Sequence, residues 1–113
     1  MLLKKYRLSK KKDFERIFKE GKYYRQDFVY FKIAKNNLEI RRFGFVVSLK
    51  ISKKAVMRNK IRRRLSEIIR LRIQQIKPGL DIVILTQPEI AGKSYLEIEQ
   101  ALIILLERAR ILI

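Results

Sequence analysis

The sequence contains no cysteine and no histidine. Without cysteine there is no disulfide framework, no thiolate nucleophile and no cysteine zinc site. Without histidine the commonest general base and metal ligand is gone. Carboxylates are scarce, 11 against 28 lysines and arginines, and no two stand at a spacing that suggests acid–base work. Two prolines and four glycines are too few for a linker or a low-complexity tract. The longest purely apolar run, residues 101–106, falls far short of the roughly 20 residues that span a bilayer. Leu2 and Leu3 are followed at once by Lys4 and Lys5, so no signal-peptide hydrophobic region is expected. The expected location is the cytoplasm.

What remains is a basic chain that still has a core to bury. Its 113 residues are 48% hydrophobic and carry a net charge of +17. That length suits one domain over residues 1–113. The charge is unevenly placed. Residues 1–72 hold 24 bases and six acids, a net +18, whereas residues 73–113 hold four bases and five acids. Ten of the eleven aromatic residues also precede position 46. Cations interleaved with rings suit a single-stranded nucleic acid with unstacked bases, since phosphates attract the cations and bases stack on the rings.

The pattern predicts a short helix between Ser9 as N-cap and Gly21 as stop, with Phe14, Ile17 and Phe18 on its apolar face. Residues 27–34 and 42–51 read as strands joined by a turn at Asn36-Asn37, expected to pair as an antiparallel hairpin. A strand near Tyr23-Tyr24 is left open. Ser52 is expected to cap a long helix running to about Ile76, closed by Pro78-Gly79. Its buried stripe is Met57, Ile61, Leu65, Ile68, Ile69, Ile73 and Ile76. Residues 81–86 form an apolar run suited to a strand covered on both faces. Ser94 with Glu97 three residues on is a capping box opening a last, well-buried helix. Read this way, the order is α-β-β-α-β-α, an α+β or α/β sandwich of sheet and helices.

The long helix is the most informative element. Opposite its apolar stripe lie Asn59, Arg63, Ser66 and Arg70, with Arg58 and Arg62 on one shoulder and Lys60 and Arg64 on the other. Glu67 is the one acid among them. Like charges four residues apart, such as Arg58 and Arg62, cost helix stability unless an anion neutralises the row. A solvated face normally mixes both signs, and a membrane-surface helix would expose the apolar stripe that the core needs. Ala91-Gly92-Lys93-Ser94 suggests the end of a P-loop, but the glycine required five residues before Gly92 is Gln87.

Residues 48–63 resemble the signature of the bacterial ribonuclease P protein subunit. That family's helix carries the core A-V-x-R-N-[RK]-x-[KR]-R, and Ala55 to Arg63 fits every position. Arg7-Leu8, Asp13-Phe14 and Phe18 fit its first-helix pattern R-L-x(4)-[DE]-F-x(3)-F. The resemblance implies a small α+β fold, an α/β sandwich of order α-β-β-β-α-β-α, ribosomal protein S5 domain 2-like. Its βαβ crossover would be left-handed, against the usual rule.

The resemblance also implies a function. The chain would bind ribonuclease P RNA and the 5′ leader of precursor tRNA, assisting the endonucleolytic cut that frees the mature 5′ end. Catalysis would reside in the RNA subunit, with Mg²⁺ bound mainly there and no catalytic residue in the protein. Arg58, Asn59, Lys60, Arg62 and Arg63 match the RNA-contacting helix, and Lys50, Lys53, Lys54 and Arg70 are expected phosphate contacts. Phe14, Phe18 and Phe31 match the aromatic positions of the leader cleft, although Phe14 and Phe18 also suit plain packing. Ser66 stands where the family often has arginine, Phe31 where it commonly has tyrosine, and Gln87 where a base is common. A ribosomal or general RNA-binding protein, and a stand-alone nuclease, are the competing readings.

Overall fold

A computed structural model describes residues 2–113. Its seven main elements are helix α1 (Lys11–Glu20), strands β1 (Lys22–Gln26), β2 (Val29–Lys35) and β3 (Arg42–Val46), helix α2 (Ala55–Arg70), strand β4 (Leu80–Thr86) and helix α3 (Tyr95–Arg108). The order is α-β-β-β-α-β-α, as the resemblance implied. Short 3₁₀ turns at Lys4–Tyr6, Ile73–Gln75 and Pro88–Gly92 fill the connections.

The sheet order is β1-β2-β4-β3. Strands β1 and β2 form the antiparallel hairpin, turning through Asp27, whose φ of 53° is tolerated by aspartate. The expected pairing of residues 27–34 with 42–51 does not occur. Strand β4 inserts between them, antiparallel to β2 and parallel to β3. The reason is visible in composition. Ile82, Val83 and Ile84 are fully buried, so β4 takes the central place where a strand is covered on both faces. Helix α2 is therefore the crossover between two adjacent parallel strands. Strand β3 stops at Val46, short of the expected end at residue 51, and Leu49 is 67% exposed in the following loop.

Both faces of the sheet are used. On one, Val29, Phe31, Ile33, Phe43, Ile82 and Ile84 pack against α2 (Ile61, Leu65, Ile68, Ile69) and α3 (Ile98, Leu102, Leu105, Leu106). On the other, Ile17 of α1 and Leu8 pack on Ala34 and Val83, with Phe14 beside them. Helix α1 covers only part of that second face.

Three helix ends differ from the sequence-based expectation. Helix α1 is capped by Lys10 rather than Ser9, without a side-chain cap bond. Helix α2 begins at Ala55, because the Ser52 hydroxyl accepts from the Lys54 N–H at 3.1 Å and holds a turn before the helix. It ends at Arg70, and Ile76, still fully buried, is reached through the tighter 3₁₀ turn. The α3 capping box forms as expected: Ser94 Oγ accepts from Glu97 N–H, and Glu97 Oε1 accepts from Ser94 N–H. Burial of α3 is one-sided, since Leu96 and Ile104 stay exposed.

Candidate nucleic-acid interface

Helix α2 buries Ile61, Leu65, Ile68 and Ile69, and the 3.6-residue period turns its other residues outward. Asn59, Lys60 and Arg63 are exposed, and Arg58 and Arg62 are half-buried on the shoulders. Two of these cations are held in place. Arg58 Nη1 donates to Ser52 O at 2.8 Å, and Arg62 Nη1 donates to Asn59 Oδ1 at 2.5 Å. Arg62 also reaches the Val47 carbonyl at 3.4 Å, which ties the row to the end of β3. None of the three bonds uses a carboxylate, so the guanidinium charges stay uncompensated. Lys50, Lys53 and Lys54 are exposed in the loop that feeds the helix. Together they extend the cationic surface around its N-terminus.

Arg70 differs. Its Nε and Nη2 donate to Glu67 at 3.0 and 2.5 Å. That bond to Arg70 holds the Glu67 carboxyl below its ordinary range, and the bond to Glu67 raises Arg70. The last cation of the row is therefore partly neutralised within the protein.

The three aromatic candidates separate. Phe18 is 42% exposed at the end of α1, where Lys32 Nζ donates to its carbonyl at 3.2 Å. Phe14 is half-buried and 6.4 Å from Phe18, ring centre to ring centre. It lies against Gly44, where a Cβ would fall 2.6 Å from the Phe14 ring, so glycine is what admits the ring to the sheet. Phe31 is 0% exposed within the α2–α3 core and has no ring face to offer a base. Its assignment to the leader cleft is corrected on that ground: a strand alternates sides, and a one-residue offset moves a side chain to the opposite face.

Tyr30, which sequence reasoning passed over, is the ring on the open face. It is half-buried beside a groove that also includes Val46, Lys50, Leu85 and Pro88. Tyr23, 52% exposed, stands 5.3 Å from it. The signal was available in the alternation of β2: if Val29, Phe31 and Ile33 point inward, Tyr30 and Lys32 share the other side.

That open face is braced by a buried carboxylate. Asp81 of β4 is 0% exposed and accepts from Arg42 of β3, Asn36 and Arg16 of α1. Arg42 also pairs with Asp13 at 3.6 Å. The bond to Asp81 raises Arg42 above its ordinary value, against the desolvation that opposes it. Among the described residues, no three His, Cys, Asp or Glu side chains lie together as a metal centre needs.

The description of the ribonuclease P family matches residues 2–110. The chain belongs to the ribonuclease P protein family. The ribonuclease P protein component of Clostridium botulinum (strain 657 / Type Ba4) is 36% identical over 110 residues, spanning 96% of this chain and 98% of that protein. A Staphylococcus aureus RNase P protein mutant superposes with a TM-score of 0.89 at 29% identity, over 96% of this chain and 91% of that one. The RNase P protein of Thermotoga maritima gives 0.82 at 33% identity, over 90% and 96%. The small α+β fold is thus that of a ribonuclease P protein, and its RNA partner follows from membership of this ribonucleoprotein. Among the described residues no helix is long and apolar enough to cross a membrane.

Proposed function

We propose that this chain is the protein subunit of a ribonuclease P holoenzyme acting in the cytoplasm on precursor tRNA. In this reading α2 and the loop before it hold ribonuclease P RNA. Lys50, Lys53, Lys54, Arg58, Lys60, Arg62 and Arg63 neutralise phosphates, while Asn59 both donates and accepts hydrogen bonds. The open sheet face receives the single-stranded 5′ leader of the precursor, with Phe18 and Tyr30 as stacking surfaces that are indifferent to base identity. The observation that carries the proposal is the group Arg58, Asn59, Lys60, Arg62 and Arg63. It stands on the outward side and shoulders of α2, and among the described residues no carboxylate is bonded to any of its arginines.

The phosphodiester cut is assigned to the RNA subunit, and Mg²⁺ to that subunit's sites. When bound there, the metal would supply charge neutralisation at the reacting phosphate. This chain's own contribution is to hold substrate, through cations and rings that need no deprotonated group. Reconstitution with ribonuclease P RNA and precursor tRNA at low Mg²⁺ tests the proposal. Stimulated release of the leader is expected, with none from the protein alone. No stimulation, with RNA binding retained, would favour a general RNA-binding protein, and cleavage by the protein alone would favour a nuclease.

A further inference from the structure

The segment before α1 runs along the outward side of β3 and α2. Leu2 N–H donates to Ser66 Oγ at 3.3 Å, and Leu8 N–H donates to the Phe43 carbonyl at 2.9 Å. Between segment and helix lies a cavity of about 180 Å³, lined by Leu2, Arg7, Phe45, Arg62, Arg63 and Ser66. Its walls are apolar where Leu2 and Phe45 meet, and three guanidiniums stand around them with no carboxylate in the lining. Arg7 and Arg63 are exposed, and neither side chain forms a hydrogen bond or ion pair among the described residues. Ser66 makes the room. It lies three and four residues after Arg63 and Arg62, on the same strip of helix, where a longer side chain would occupy the cavity.

We propose that this cavity takes a single unstacked base of the ribonuclease P RNA, with Arg7, Arg62 and Arg63 on the phosphates to either side. The proposal rests on the reading of α2 as the RNA-binding helix and names a ligand for one part of it. The chemistry favours a nucleotide over a protein side chain. An apolar slot beside aromatic Phe45 suits a flat ring, and three cations with no acid suit the phosphates attached to it. A solvated helix face would not need the N-terminal segment folded over it to close an apolar wall.

The test is affinity of the full chain for ribonuclease P RNA, measured over a range of salt. Ser66→Met fills the cavity while leaving all three arginines. Binding is expected to weaken about tenfold, as the loss of one stacked base would, with the salt dependence unchanged. Leu96→Met, a change on the exposed side of α3 outside the cavity, is expected to bind as the parent does. Thermal unfolding verifies the fold. If Ser66→Met does not fold, Phe45→Trp fills the cavity from the opposite wall and is read by the same criterion. Parental affinity in the filled variant overturns the proposal. If Arg62→Ala and Arg63→Ala still weaken binding in that case, only the pocket fails. If they too change neither affinity nor salt slope, the reading of α2 itself fails.

Discussion

Arg42 grips Asp81 with both arms of its guanidinium, Nε to Oδ1 at 2.8 Å and Nη2 to Oδ2 at 2.7 Å. The carboxylate is fully buried, whereas the Arg42 and Arg16 side chains keep 21% and 30% of their surface in solvent. The arginines are thus largely desolvated but keep an edge in water, and the carboxylate is satisfied from β3, α1 and the turn at Asn36. Removing one member of a buried pair leaves its partners uncompensated. Asp81→Ala is therefore expected to cost about 3 kcal/mol, the low end for such pairs because the arginines can turn to water. Chemical denaturation measures this, and a loss under about 1 kcal/mol would show that the network is redundant.

Arg16 is the α1 residue that bonds Asp81 directly, while Asp13 of α1 joins the network through Arg42, so the loss of Arg16 should be felt first in α1. Arg16→Ala is expected to speed amide exchange through residues 11–20 while β4 stays protected, since local opening follows the contacts that hold a segment. Because α1 carries Phe18, the same variant should weaken precursor binding more than mature-tRNA binding. Uniform exchange across α1 and β4 would mean instead that the two open as one unit.

The helix cations should divide by their partners. Among the described residues Arg58 and Arg62 bond only to neutral oxygens, so Arg58→Ala and Arg62→Ala should each weaken holoenzyme assembly. Each should also flatten its salt dependence by roughly 0.7–0.9 of a unit in the log–log slope, the loss of one phosphate contact. Arg70→Ala should change the slope less, because its charge is already shared with Glu67. Equal slopes for all three variants would indicate that RNA binding breaks the Arg70–Glu67 pair.

How much of this was legible beforehand depends on the kind of signal. The α3 capping box and the Ile61, Leu65, Ile68 and Ile69 part of the α2 stripe are local patterns, and both appear where the sequence places them, whereas Met57 and Ile73 are half-buried and Ile73 and Ile76 lie past the helix end. The pairing of β2 with β4 is not local. It arises because the most apolar strand takes the centre of the sheet, a competition among strands that spacing along the chain does not record. The aromatic site shows the same limit at finer scale. Phe31 and Tyr30 are neighbours of similar size, and only the direction of the pleat decides which enters the core. The cation row was readable because a helix's outer face follows from its inner one. Arg7 beside Arg62 was not, since it depends on where the N-terminal segment lies.

The exchange of Phe31 for Tyr30 gives a test on both stability and function. Phe31→Ala empties a fully buried site and should cost about 3–5 kcal/mol, with precursor and mature tRNA binding lowered alike through the folded fraction. Phe18→Ala and Tyr30→Ala remove exposed or half-exposed rings. They should cost less stability yet reduce precursor affinity about five- to tenfold relative to mature tRNA. Selective loss in Phe31→Ala, at conditions where it is fully folded, would return that residue to the leader site.

The α3 cap predicts a pH dependence whose sign is fixed. Glu97 is held below the ordinary carboxylate range, first by its bond to the Ser94 backbone N–H and then by the Ser94 side chain. A carboxyl with a lowered folded value stabilises the fold fully above its unfolded pKa, roughly 4.3, and loses that contribution as pH falls through the folded value. The stability difference between the parent and Glu97→Gln should therefore be constant above about pH 5 and close as acid is added. Ser94→Ala removes the other half of the box and should cost about 1 kcal/mol at neutral pH. Urea denaturation of the three proteins at several pH values measures both effects. A difference that widened in acid would mean that Glu97 stabilises the fold in its protonated form, contrary to the geometry of the cap.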